Sequence, residues 1–239
     1  MRRFLLILFN LLWVASGFAW QGTLQTRDNR VASGEMFFHT ADTLIVTPPV
    51  GAAFRVPLAH VLQITFSAAV ARAESPRPLL TLRNGSTMSV QLRSMDDSVA
   101  KFNIAHRAFS IATLEVSRVL FRVVPEFHLN KIASDRRGVL LGNGDFLDGD
   151  LVKLDNHALQ LNSTLFGLRS LDLTNQAAAL FLRPTVASTN LWEVQAADGS
   201  VLHTDTLAPE LDQLIVHDPY FGVFRIPLNQ LLRLRRNRP

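Results

Sequence analysis

With 48% apolar side chains over 239 residues, the chain can bury a sizeable core. It contains no cysteine, which excludes disulfide staples, a thiolate nucleophile and a cysteine-borne lipid anchor. The 24 basic and 20 acidic residues leave a net charge of only +4; the pI near 10.3 reflects 21 arginines against three lysines and argues for no nucleic-acid partner.

In chain order, Arg2 and Arg3 precede an almost wholly apolar run over 4–14, and Gly17-Phe18-Ala19 offers small residues at alternate positions. This pattern predicts a Sec-type signal peptide over 1–19. The protein is then expected in the periplasm, in the cell envelope or outside the cell, with no transmembrane span after cleavage. Without Arg2 and Arg3, 22 basic residues face 20 acidic ones.

The rest of the chain repeats itself. Four turn dipeptides, Asp28-Asn29, Asn84-Gly85, Asn143-Gly144 and Asp198-Gly199, are each followed by an apolar triplet around one variable position. The triplets are Val56-Pro57-Leu58, Leu114-Glu115-Val116, Leu171-Asp172-Leu173 and Ile226-Pro227-Leu228. From the second turn residue to the end of the triplet the separations are 29, 31, 29 and 29 residues. Four tandem repeats follow, over 20–66, 79–121, 138–182 and 191–236, joined by connectors over 67–78, 122–137 and 183–190.

The third repeat is the clearest: an apolar run, Asn143-Gly144 and a second run with polar residues interleaved predict a hairpin whose turn residues both tolerate positive φ. Alternation through Leu159 and Leu161, an extended stretch over 165–173 and a closing strand through Leu180 complete it. In the first and last repeats, Leu44-Ile45-Val46 and Leu214-Ile215-Val216 are middle strands, and Pro57 and Pro227 mark strand ends because proline cannot donate to a ladder. A single helical or 3₁₀ turn and a short last strand, over 63–66 and 233–235, should follow. The second connector is expected to add a strand at Val123-Val124. Nothing after the leader sustains helical periodicity over ten residues, so the fold class is all-β with about five short strands per repeat.

A hairpin on Asn-Gly, two further strands, a one-turn helix and a closing strand resembles the small five-stranded barrels of Sm-like and SH3-like type. Asn143-Gly144, Leu147-x-Gly149-x-Leu151 and Ile226-Pro227-Leu228 also look like motifs in tandem repeats of uncharacterised exported bacterial proteins. The resemblance implies small barrels packed together; a four-bladed, propeller-like closure is the alternative. It carries no function with it.

Candidate chemistry is sparse. Asp145, Asp148, Asp150 and Asp155 suggest a calcium loop, but an EF-hand register puts Gly144 and Phe146 where ligands belong. The seven histidines form no i, i+2 or i, i+4 pair, and there is no Gly-x-Ser-x-Gly elbow. Asp145 with Asp148, or Glu210 with Asp212, are weak candidates for paired carboxylates. Among the aromatics Trp20, Trp192, Phe109, Tyr220 and Phe221, the pair Tyr220-Phe221 before Gly222 could form a sugar or peptide platform, although Phe221 and Phe224 read as core. Arg55 and Arg225 alternate onto the solvent face, and the basic tail from Arg233 reads as a solvated end.

The candidate ligand-binding residues are therefore Tyr220, Trp192, Asp145 and Asp148, with no catalytic set, no metal site and no cofactor. The sequence points to a non-enzymatic interaction or scaffold module of the cell envelope, its partner an envelope protein or glycan. The alternative is a carbohydrate-binding or carbohydrate-active protein using a cleft between repeats.

Overall fold

The computed structural model describes residues 19–67, 78–104 and 106–237. The predicted signal peptide, apart from Ala19, lies outside these residues. Among them the protein is all-β and antiparallel throughout, with helix confined to single turns and one five-residue segment.

Each turn dipeptide closes a hairpin. Strands β1 (Trp20–Thr26) and β2 (Val31–Thr40) meet through Asp28-Asn29, and β6 (Leu79–Leu82) and β7 (Thr87–Ser89) through Asn84-Gly85. The same holds for β12 (Gly138–Leu141) with β13 (Phe146–Asp155), and β17 (Trp192–Ala196) with β18 (Val201–Thr204). The turn differs from the expected two-residue form. In all four a backbone amide bonds the carbonyl four residues on: Thr26 to Arg30, Leu82 to Ser86, Leu141 to Asp145 and Ala196 to Ser200, at 2.8–2.9 Å. Only the last of the three loop residues is left-handed: Asn29, Gly85, Gly144 or Gly199. The Asn84, Asn143 and Asp198 side chains accept from the amide two residues on, fixing the loop before the strands pair.

The remaining strands are β3 (Thr43–Thr47), β4 (Phe54–Pro57) and β5 (Val61–Phe66); β8 (Gln91–Asp96), β9 (Val99–Ile104), β10 (Arg107–Ala112) and β11 (Val116–Leu120); β14 (Ala158–Ser163), β15 (Gly167–Asp172) and β16 (Ala177–Phe181); and β19 (Leu207–Glu210), β20 (Gln213–Asp218), β21 (Gly222–Pro227) and β22 (Leu231–Arg236). In the first group β1 pairs with both β2 and β5, and β2, β3 and β4 follow in a meander. The other three groups repeat this order, with the second strand broken in two as β7/β8 and β18/β19. Among the described residues the fourth strand of a group pairs only with the third, so no ladder closes into a hydrogen-bonded barrel.

Strand ends bear out the local reading at the prolines. β4 and β21 stop at Pro57 and Pro227, and one 3₁₀ turn follows each, over Leu58–His60 and Leu228–Gln230. The second group has the same turn over Thr113–Glu115, and the preceding Ala112 (φ −64°, ψ 133°) copies Pro57 (φ −60°, ψ 135°). Thr113 therefore stands where Leu58 and Leu228 stand, and the triplet assigned at Leu114-Glu115-Val116 is three residues out of register. With this register Phe54, Phe109 and Phe224 correspond, each four residues before its 3₁₀ turn. The expected strand at Val123-Val124 is absent: the segment leads instead into α1 (Glu126–Asn130), whose Leu129 joins Val124 and Ile132 over a small patch of Leu140, Ala178 and Ala179.

Last strands join groups. β5 runs antiparallel to β22 with Ile64 opposite Leu234, and β11 runs antiparallel to β16 with Val119 opposite Leu180. All four of these residues are fully buried, in one core that draws on every group. Burial of each leucine or isoleucine is worth about 1.5–3 kcal/mol, and here it serves two groups at once.

Candidate functional site

The densest polar constellation lies where the second and fourth groups meet. Asp218 ends β20 with 3% of its surface exposed. Its Oδ1 accepts from the amides of Tyr220 (2.9 Å) and Phe221 (3.0 Å), which builds the β20–β21 turn. Its Oδ2 accepts from Ser86 Oγ of the β6–β7 turn (2.5 Å) and from the His203 amide (3.3 Å). One carboxylate thus holds a turn of its own group to a turn of another.

His203 lies on β18 opposite Glu193 of β17, which in turn lies opposite Arg235 of β22. Glu193 accepts from Arg233 (3.2 Å) and Arg235 (2.5 Å), so two arginines of the tail predicted to be a solvated end are tied to a buried acid. Burial pushes the His203 imidazole below its usual value; the Glu193 and Asp218 carboxylates oppose the shift, and Arg235 adds to it. The ring lies close beneath the second hairpin: a Cβ at Gly85 would sit 3.1 Å from His203 Nε2, a tight contact.

Serine, histidine and aspartate here do not form a catalytic triad. Ser86 donates directly to the aspartate, His203 Nδ1 has no hydrogen-bond partner, and among the described residues no histidine nitrogen bonds the serine hydroxyl. With both carboxylate oxygens of Asp218 engaged, the arrangement fastens segments together.

Beside this node is a four-ring cluster. Phe102 and Phe109 stack at 5.9 Å, Phe109 stacks on Phe224 across the groups at 6.4 Å, and Phe221 meets Phe102 and Phe224 edge-on. Phe221 is fully buried and Phe224 packs against the core.

The sequence-derived candidates each have partners of their own. Trp192 is 4% exposed, with the Arg236 guanidinium 5.4 Å from its ring centre, so neither ring face is open. Tyr220 is 40% exposed at the β20–β21 turn. Partial burial, and then the Glu115 carboxylate accepting its hydrogen bond, hold its hydroxyl above the usual range. Asp145 bonds within its own turn to Asn143 (2.7 Å). Asp148 forms a two-point ion pair with Arg136 (3.0 and 2.5 Å), which holds its carboxyl below the usual range. Asp155 is lowered likewise by the amides of His157 and Ala158. Among the described residues no three His, Asp or Glu side chains gather at metal-binding distance. Arg55 and Arg225 face solvent as alternation requires.

An open groove lies on the first group. It holds about 760 Å³ between the β1–β2 hairpin and β4. Phe54, Val31 and Leu24 line it among apolar residues, and Arg27, Arg55 and His60 among basic ones.

Fold and site together define an all-β protein of open antiparallel ladders around one core. Compared with protein-family models, curated proteins and solved structures, the chain matches none.

Proposed function

We propose that the chain is an exported protein of four tandem small β units of Sm-like or SH3-like type, acting as a non-enzymatic interaction or scaffold module of the cell envelope. The carrying observation is that the buried polar constellation around Asp218 spends its groups on joining segments, while the groove of about 760 Å³ on the first group is lined by apolar and mainly basic residues, with its one acid, Asp28, paired to Arg30. Four groups with one pairing order, joined through corresponding last strands, support the tandem reading. A glycan platform would need Trp192 or Tyr220 open beside free carboxylates, and no observation favours it over protein binding.

The test is a hydrolase screen of the purified chain on polysaccharide, peptide and ester substrates. No turnover is expected; a specific activity abolished by one acidic substitution would contradict the reading.

A further inference from the structure

The first group's groove has a counterpart inside the molecule. Phe109 and Phe224, which correspond to Phe54, are half-buried against each other where the second and fourth groups meet. Phe54 is 40% exposed and forms no aromatic pair among the described residues, and Val31 beside it in the groove is 64% exposed. The same face that binds protein internally is open in the first group. Apolar residues lining an open groove are a surface that a partner can cover.

Charge selects the occupant. Arg30 is paired with Asp28 (2.8 Å), but among the described residues Arg27, Arg55 and Arg236 meet no carboxylate within 4.0 Å. Arg236 lies next to Arg27: after burial, Arg27 is the charge that holds the Arg236 guanidinium below its usual range. Two copies of such a face would set like charges against each other. A further guide is the backbone: among the described residues β4 pairs only with β3, all four of its residues line the groove, and no described strand takes its second edge, where a strand could be added.

We infer that this groove binds an extended, acidic segment of a partner protein, with alternate apolar side chains placed on Phe54 and Val31 and carboxylates on Arg27 and Arg55. The inference rests on the reading as an interaction module and names the class of its partner. The segment at 165–168 in the third group also exposes apolar residues, Leu165, Phe166 and Leu168. It is a turn tip with Arg169 over the Phe166 ring (5.6 Å).

The experiment titrates the full chain with a labelled heptapeptide alternating Asp or Glu with Val and Phe, and with a second peptide carrying Lys at the acidic positions. The acidic peptide is expected to saturate the protein, at least about tenfold more tightly than the Lys peptide, and to weaken as salt rises from about 0.05 to about 0.5 M. Phe54→Ala and Arg55→Glu should each weaken binding about tenfold with the circular dichroism spectrum unchanged. Both residues are exposed, so the variants are expected to fold. Equal binding of the Lys peptide, no saturation by about 1 mM acidic peptide, or binding unaffected by the two variants overturns the assignment. A concentration-dependent dimer abolished by Phe54→Ala overturns it in favour of a second copy. Cleavage of either peptide would instead overturn the non-enzymatic reading, so the two failures are distinct.

Discussion

His203 shows what single residues do in this fold. It is 6% exposed, and desolvation disfavours its charged form. The groups facing it are Glu193 and Asp218, which favour the charge, and Arg235, which opposes it; burial prevails. The folded-state value is therefore below the ordinary 6.5, and the unfolded chain takes up the proton first. Stability is then complete above about pH 6.5 and falls as pH drops from there toward the folded value. Thermal unfolding should show Tm falling by a few degrees between about pH 7.5 and 5.5, with His203→Gln flattening that slope. Asp96, Asp148 and Asp155, whose values are lowered, act in a separate window: their stabilisation is present above 3.8 and is lost only below it. None of this node was legible in the sequence. Ser86 and Asp218 are 132 residues apart, and an aspartate before a proline and tyrosine reads as an exposed turn until the fold buries it.

Among elements, local signals were readable and pairings between groups were not. The four hairpins follow from their dipeptides because side chain and backbone act within five residues. The second group's register was misread because its true triplet is Ile111-Ala112-Thr113, which lacks the leucine of the others, while Leu114 and Val116 imitate it nearby. The cue that would have fixed it is Phe109, four residues before the turn like Phe54 and Phe224. Val123-Val124 has strand propensity, but Pro125 stops a ladder and opens α1. The Phe109–Phe224 stack is where two groups meet, and it gives a prediction. Phe109→Ala and Phe224→Ala should each cost about 2–3 kcal/mol in denaturant unfolding. The double variant should fall short of the sum by about 0.5–1.5 kcal/mol, the range for an aromatic pair. Additivity would mean that the rings do not pack on one another. Phe54→Ala, at the same position in the first group, should cost less than either, since its ring is the more exposed.

Over the whole molecule, the first and fourth groups are farthest apart in sequence yet joined strand to strand through β5 and β22. Their near-identical motifs, Phe54-Arg55-Val56-Pro57-Leu58 and Phe224-Arg225-Ile226-Pro227-Leu228, carry the proposal of a repeat. They did not disclose this pairing, because a ladder between distant segments leaves no periodic mark on either. The pairing joins the first and last groups and leaves the groove beside Phe54 open. A cysteine-free chain offers a direct test. Thr65 and Arg233 are cross-strand partners in the β5–β22 ladder, a geometry within reach of a disulfide. Thr65→Cys combined with Arg233→Cys should give, on mild oxidation at low protein concentration, a monomer of altered mobility under non-reducing denaturing conditions. It should revert with reductant and be absent from either single variant. A double variant that stays reduced, or that links only between molecules, would contradict the joining of first and last groups on which the account depends.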